Sequence, residues 1–120
     1  MDKLTVKGTR IVDSHGRERI LTGLNVCDKG RYIEGQRRVY GEQWNKGLAS
    51  DMKAHGMDLI RYGITWDAIE PEPGEYNEEY LEFIGGILDE CKESGVYVYL
   101  DMHQDLFSGT ELLCGDGAPK

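Results

Sequence analysis

Basic charge is scarce in this chain. Fourteen lysines and arginines stand against twenty-two aspartates and glutamates, a formal net charge of −8. A nucleic-acid surface needs clustered cations to displace the counterions of phosphate, and no such footprint is present. Nor is there a basic amphipathic stretch suited to an anionic membrane surface. Long apolar runs are missing too: no window approaches the roughly 18 consecutive apolar residues of a membrane span. The opening "MDKLTVKGTR" carries charge early and has no apolar core, so it reads as no signal peptide. Cysteine is sparse. Cys27, Cys91 and Cys114 are odd in number and widely spaced, which fits neither a disulfide framework nor a CxxC zinc site. That usage points to a reducing compartment, the cytoplasm. A secreted chain with its leader trimmed away would show the same pattern.

What remains is an ordinary soluble composition: 120 residues, 39% hydrophobic and 30% charged, enough for one modest domain. Sixteen glycines indicate many turns. In the first 19 residues, the apolar groups Leu4/Val6 and Ile11/Val12 are separated by Lys7-Gly8. Asp13-Ser14-His15-Gly16 then precedes Ile20/Leu21, so the segment predicts a small antiparallel hairpin. "RILTGLNVCDKG" predicts a strand ending near Val26. From Gln43 to His55 the period turns helical, with Trp44, Leu48 and Met52 at i, i+4, i+8 and Gly56 at the cap. "MDLIRYGITW" follows as a strand, and "DAIEPEPGEY" as a turn-rich loop. A second helix starts near Asn77, a good N-cap, and carries the stripe Tyr80, Leu81, Ile84, Ile87, Leu88 and Cys91. Gly95 ends it, and "VYVYLDMH" is a strand.

A hairpin followed by strand–helix–strand–helix–strand implies parallel strands with right-handed crossovers. Two α/β architectures fit: an open doubly wound sheet, or the N-terminal part of a (β/α)8 barrel behind a hairpin cap. No GxGxxG or P-loop follows a strand, which weakens the nucleotide-binding version. A complete barrel takes about 250 residues.

The charge sits in a telling place. Side chains alternate along a strand, so Tyr97, Tyr99, Asp101 and His103 share one face of the last strand. Val96, Val98, Leu100 and Met102 share the other, which suits packing against helices. In the strand before it, Met57, Leu59, Arg61 and Gly63 share a face. Ligands of parallel sheets bind beyond the carboxyl ends of the strands, where Arg61, His103 and Asp105 are expected. A guanidinium within a strand is costly unless carboxylates surround it, so Arg61 predicts an acidic partner. Asp101 is one candidate and an acidic residue from a strand outside this chain is another; an Arg61–Asp101 core ion pair without chemistry is the plain alternative. His103 and Asp105, beside Gln104, suit a hydroxyl-rich ligand. Asp101-x-His103-x-Asp105 could also hold a metal, but no histidine or cysteine pair supports that. Trp66 suits a sugar-stacking platform, or a ring packed under the Pro71–Pro73 loop. Lys29 could donate to hydroxyls, or be solvated in its loop.

The run "ILTGLNVCDKG", the loop pattern W-x-x-I-E-P-x-x-G-x-Y-N and "LDMHQDLFS", with "CGDGAP" after them, resemble glycoside hydrolase family 5, nearest its endoglycoceramidase-like subgroup. The resemblance covers nearly the whole chain. It implies a (β/α)8 barrel of which residues 1–120 form the N-terminal third, and a retaining mechanism with two glutamates about 5 Å apart. It implies that Arg61 supports the nucleophile, and that Lys29, His103 and Asp105 bind sugar hydroxyls. No cofactor or metal is implied, and the partners are a β-glucoside or glycolipid and the remainder of the barrel. In the family the acid/base follows an asparagine at the end of the fourth strand, and the nucleophile ends the seventh. Asn77-Glu78 spells the same dipeptide but opens a helix. Neither catalytic glutamate is therefore expected in this chain, and the segment alone is expected to be inactive.

Overall fold

The computed structural model describes residues 1–27, 44–107 and 117–119. Strands β1 (Thr5–Lys7) and β2 (Arg10–Val12) pair antiparallel, Thr5 opposite Val12 and Lys7 opposite Arg10. The hairpin is closed by Asp13, whose buried carboxylate accepts from the backbone N–H of His15 and of Arg17 and from Arg17 Nε at 2.8 Å. Burial alone would raise the pKa of that carboxyl. The bonds from Arg17 and His15 outweigh it and hold the group below its ordinary value.

The main sheet is parallel, in the order β3 (Gly23–Cys27), β4 (Leu59–Ile64), β5 (Tyr97–Met102). Its register sets Asn25 beside Arg61 beside Tyr99 and, two residues on along the same face, Cys27 beside Gly63 beside Asp101. The connecting helices are α1 (Leu48–Ala54) and α3 (Glu78–Ser94), with a short α2 (Trp66–Ile69) between them. In α3 the Asn77 side chain accepts from Tyr80 N–H at 3.1 Å, Glu78 and Glu79 fill the first turn, and Gly95 stops the helix.

The described helices all pack on one face of the sheet. Ile60, Tyr62 and Ile64 of β4 point outward into a core with Ala49 and Met52 of α1, Ala68 of α2, and Tyr80, Ile84, Ile87 and Cys91 of α3. Burying an isoleucine such as Ile87 stabilises by about 1.5–3 kcal/mol, so this face holds the elements together. On β5 the expected outward set is only half covered. Val96 is buried and Val98 partly so, but Leu100 and Met102 remain 40% and 58% exposed, because no described helix lies over the carboxyl half of this strand.

Two expectations require correction. The first helix is predicted from Gln43, which lies outside the described residues; residues 44–47 are non-helical, Gly47 has φ +95°, and the helix starts at Leu48. That left-handed backbone suits glycine, and it turns the Gly47 N–H onto Glu90 Oε1 at 2.8 Å. The stretch read as a loop after the second main strand contains α2, a single turn too short for a periodic signal.

The hairpin closes the amino-terminal end of the sheet. Tyr97 Oη donates to the carbonyl of Asp2 at 2.7 Å, Asp58 N–H to the carbonyl of Thr22, and Arg19 lies 3.9 Å from Asp58. The opposite, carboxyl end of the strands is left for chemistry.

Candidate functional site

Arg61 is the third of six residues in β4, inside the strand and short of the carboxyl end predicted for it, and its length makes up the difference. Nη1 donates to Asn25 Oδ1 at 2.6 Å within its own row, and Nη2 to Asp101 Oδ2 at 2.5 Å in the row above. The absence of a side chain at Gly63 leaves this inner surface low, and even a methyl there would come within 2.4 Å of Cys27 Sγ. The acidic partner expected for Arg61 is Asp101. Arg61 is not a sealed core cation, since its side chain is 36% exposed. Apart from a 3.4 Å approach of Nη2 to His103 Nδ1, its other N–H groups have no partner among the described residues.

His103 lies just past β5, fastened by its own N–H to the carbonyl of Ile64 at 2.7 Å. Its Nδ1 is 3.1 Å from Asp101 Oδ2 and 3.4 Å from Arg61 Nη2, and its Nε2 is 3.5 Å from Asp105 Oδ2. The structure thus brings Arg61, His103 and Asp105 together, with Asp101 at their centre. The metal reading fares badly by geometry. Asp101 and Asp105 approach opposite nitrogens of one ring, so the three side chains do not converge on a point.

Trp66 opens α2 beyond the end of β4 and is not buried under the proline loop, since the residue is 47% exposed. Its indole N–H donates to Glu70 Oε2 at 2.9 Å, while Glu70 Oε1 accepts from Gly74 N–H at 2.7 Å. Gly74, at φ +78°, supplies a turn that other residues adopt with strain, and Asn77 N–H bonds the carbonyl of Ile69. The spaced W-x-x-I-E-P-x-x-G-x-Y-N pattern is therefore a single hydrogen-bonded loop. Those bonds, from Gly74 and then from Trp66, hold the Glu70 carboxyl below its ordinary value. Lys29 and Cys114 lie outside the described residues.

Past Asp105 the chain presents Leu106 and Phe107 at φ +54° and +66°, 69% and 60% exposed. Their turn is held from behind, where Ala118 N–H donates to the carbonyl of Phe107 at 2.7 Å and Asp67 N–H to that of Gly117. Two residues escaped sequence reading. Asn25 carried a usable signal, a small polar side chain on the alternation of Gly23 and Cys27 in an otherwise apolar strand. Glu90, which accepts from Trp44 Nε1 at 2.9 Å and from Gly47 N–H, looks in sequence like a solvated helix residue.

A parallel strand–helix array with its helices outside, polar side chains along the inner face and a hairpin under the amino ends is the opening of a (β/α)8 barrel. The comparisons narrow the class. The family model Cellulase (glycosyl hydrolase family 5) matches residues 12–119, and the chain belongs to that family. It is 33% identical over 118 residues to endoglycoceramidase I of Rhodococcus hoagii, covering 98% of this chain and 23% of that protein. It is 32% identical over 137 residues to a glucosylceramidase of Aspergillus fumigatus, covering 98% and 18%. A solved endogalactoceramidase superposes with a TM-score of 0.82 at 31% identity, over 100% of this chain and 30% of that one. The chain thus spans about a quarter of the length of such relatives. Among the described residues, no helix is long and apolar enough to cross a membrane.

Proposed function

We propose that residues 1–120 form the N-terminal third of one barrel domain in a retaining glycoside hydrolase that cleaves β-glucosidic bonds of glycolipids or related β-glucosides. The observation that carries this reading is the Arg61–Asp101–His103–Asp105 cluster at the carboxyl end of a parallel sheet in a family 5 chain. In it, Arg61 holds the nucleophilic glutamate ionised. A guanidinium has five N–H donors, and Asn25 and Asp101 fix its plane while leaving donors for a further carboxylate. Both glutamates come from barrel strands outside this chain, as does the rest of the fold. His103, Asp105 and Lys29 bind hydroxyls of the sugar beside the scissile bond, and the exposed ring of Trp66 stacks on a sugar face. Contacts to ring hydroxyls that strengthen as the sugar distorts toward an oxocarbenium-like state lower the barrier. The apolar Leu106–Phe107 pair next to these polar groups supports a substrate that joins sugar to lipid, as do the names of the relatives. The reducing, cytoplasmic setting read from the cysteines belongs to the same proposal.

The test is to incubate the full-length protein with glucosylceramide, galactosylceramide and an aryl β-glucoside, following the first-formed anomer by NMR. The expected result is release of β-sugar, with Arg61→Ala lowering kcat by at least about 100-fold. Release of α-sugar refutes the retaining mechanism. Activity that is lost to a chelator and restored by zinc favours metal chemistry, and glucoside binding without turnover favours a binding module. Turnover by the 120-residue segment alone contradicts the placement of the glutamates.

A further inference from the structure

We propose that Asp101 is the positioning residue of this site: it selects the tautomer of His103 and fixes Arg61 through the same oxygen. The inference rests on reading Arg61 and His103 as site groups. One atom, Asp101 Oδ2, lies 2.5 Å from Arg61 Nη2 and 3.1 Å from His103 Nδ1. A carboxylate only accepts, so the ring meets it with a proton on Nδ1.

The competing arrangement is specific. A proton on Nε2 would point to Asp105 Oδ2 at 3.5 Å, and the Nδ1 lone pair would accept from Arg61 Nη2 at 3.4 Å. Both distances are at the limit of a hydrogen bond, and the Asp105 side chain is 54% exposed. Asp101 is 19% exposed and offers the shorter contact, so it wins. The 3.4 Å approach of Arg61 to His103 is then two donors converging on one acceptor.

This choice has a chemical consequence. With the proton on Nδ1, His103 Nε2 is an acceptor, and it stands 3.5 Å from another acceptor, Asp105 Oδ2. Two adjacent acceptors ask for two adjacent donors. The pair therefore fits neighbouring hydroxyls of a sugar, each giving its proton, and discriminates against a sugar in which one of them is replaced by fluorine.

The test is 15N imidazole NMR on the full-length protein labelled at histidine, at about pH 8 where an ordinary imidazole is neutral. Wild-type His103 is expected as the Nδ1–H tautomer. Asp101→Ala moves it toward Nε2–H, and Asp101→Asn, which keeps an oxygen in place, restores Nδ1–H. Removing a group that orients a ring typically costs about 10- to 100-fold, so kcat/KM for an aryl β-glucoside should fall by that factor in Asp101→Ala and recover in part in Asp101→Asn. A purely structural aspartate would lower thermal stability without moving the tautomer. An Nε2–H signal in the wild type overturns the proposal and needs no variant to fold; an unchanged Nδ1–H signal in Asp101→Ala overturns it too. If the tautomer responds as expected but no glycoside is cleaved, the hydrolase reading fails and the role of Asp101 stands.

Discussion

Glu90 offers the sharpest test of how the outer layer holds the sheet. Its two oxygens bind two donors from one segment, Trp44 Nε1 at 2.9 Å and Gly47 N–H at 2.8 Å. Trp44 in turn meets Tyr62 of β4 edge-on, with ring centroids 5.9 Å apart at 76°. A hydrogen bond to a charged acceptor contributes about 1.5–3 kcal/mol net, and these are partly buried, so the lower end applies. Glu90→Ala should therefore cost about 2–4 kcal/mol. Glu90→Gln presents one acceptor oxygen, so it serves one donor and sets an N–H against the other; it should cost about 1–2 kcal/mol. In a double-mutant cycle, Trp44→Phe keeps most of the ring contact and deletes only the indole donor. A coupling of about 1 kcal/mol with Glu90→Ala is expected, read from urea unfolding followed by far-UV circular dichroism. A coupling below about 0.3 kcal/mol, within the additivity of independent sites, would show that the bonds are replaced by water at no loss.

Three further outcomes follow from the described geometry. Because the Glu70 carboxyl is held below its ordinary 4.5, its bonds stabilise the loop above that pH and are lost as pH falls through the lower folded value. In a Trp44→Phe background, Trp66 emission should change in that acid range; a titration flat until global unfolding contradicts this. Burial first, and the neighbouring Glu90 second, push the Cys91 thiol up to about 11. With Cys27 and Cys114 replaced by serine, Cys91 should resist a disulfide reagent at neutral pH until denaturant is added, and rapid native labelling would refute its burial. Gly63→Ala places a methyl 2.4 Å from Cys27 Sγ, so the Cys27 side chain must swing away or β3 must shift, costing about 1–3 kcal/mol; an unchanged unfolding midpoint speaks against this close approach.

Much of the site was legible because it lies within single strands. Alternation alone placed Asp101 and His103 on one face, and the cost of a bare guanidinium predicted the acidic partner that Arg61 has. What alternation cannot supply is register between strands far apart in sequence, so Asn25 at the other nitrogen of Arg61 was not foreseen. Trp44 misled for a related reason. Its i, i+4, i+8 spacing with Leu48 and Met52 matched a helix, while tertiary contacts to Glu90 and Tyr62 held it in an irregular segment. The Trp66–Glu70–Gly74 loop was visible as a motif, but not as the hydrogen-bonded unit that accounts for it.

The register of the main sheet also bears on how the chain finds its fold. Gly23 pairs with Leu59 and Leu59 with Tyr97, partners thirty-six and thirty-eight positions apart. Each closure costs about 3 kcal/mol of chain entropy before any pairing is gained. Among the described residues, only the second closure is bridged by a long helix, which buries Tyr80, Ile84, Ile87 and Cys91 as it forms. The β4–α3–β5 unit should therefore assemble first and β3 last. In pulsed hydrogen exchange, amides of Ile60 and Val98 would then gain protection ahead of Val26, and the reverse order would mean that nucleation begins elsewhere. Until β3 docks, Arg61 has Asp101 but not Asn25, so the guanidinium reaches its final plane only at the last step of folding.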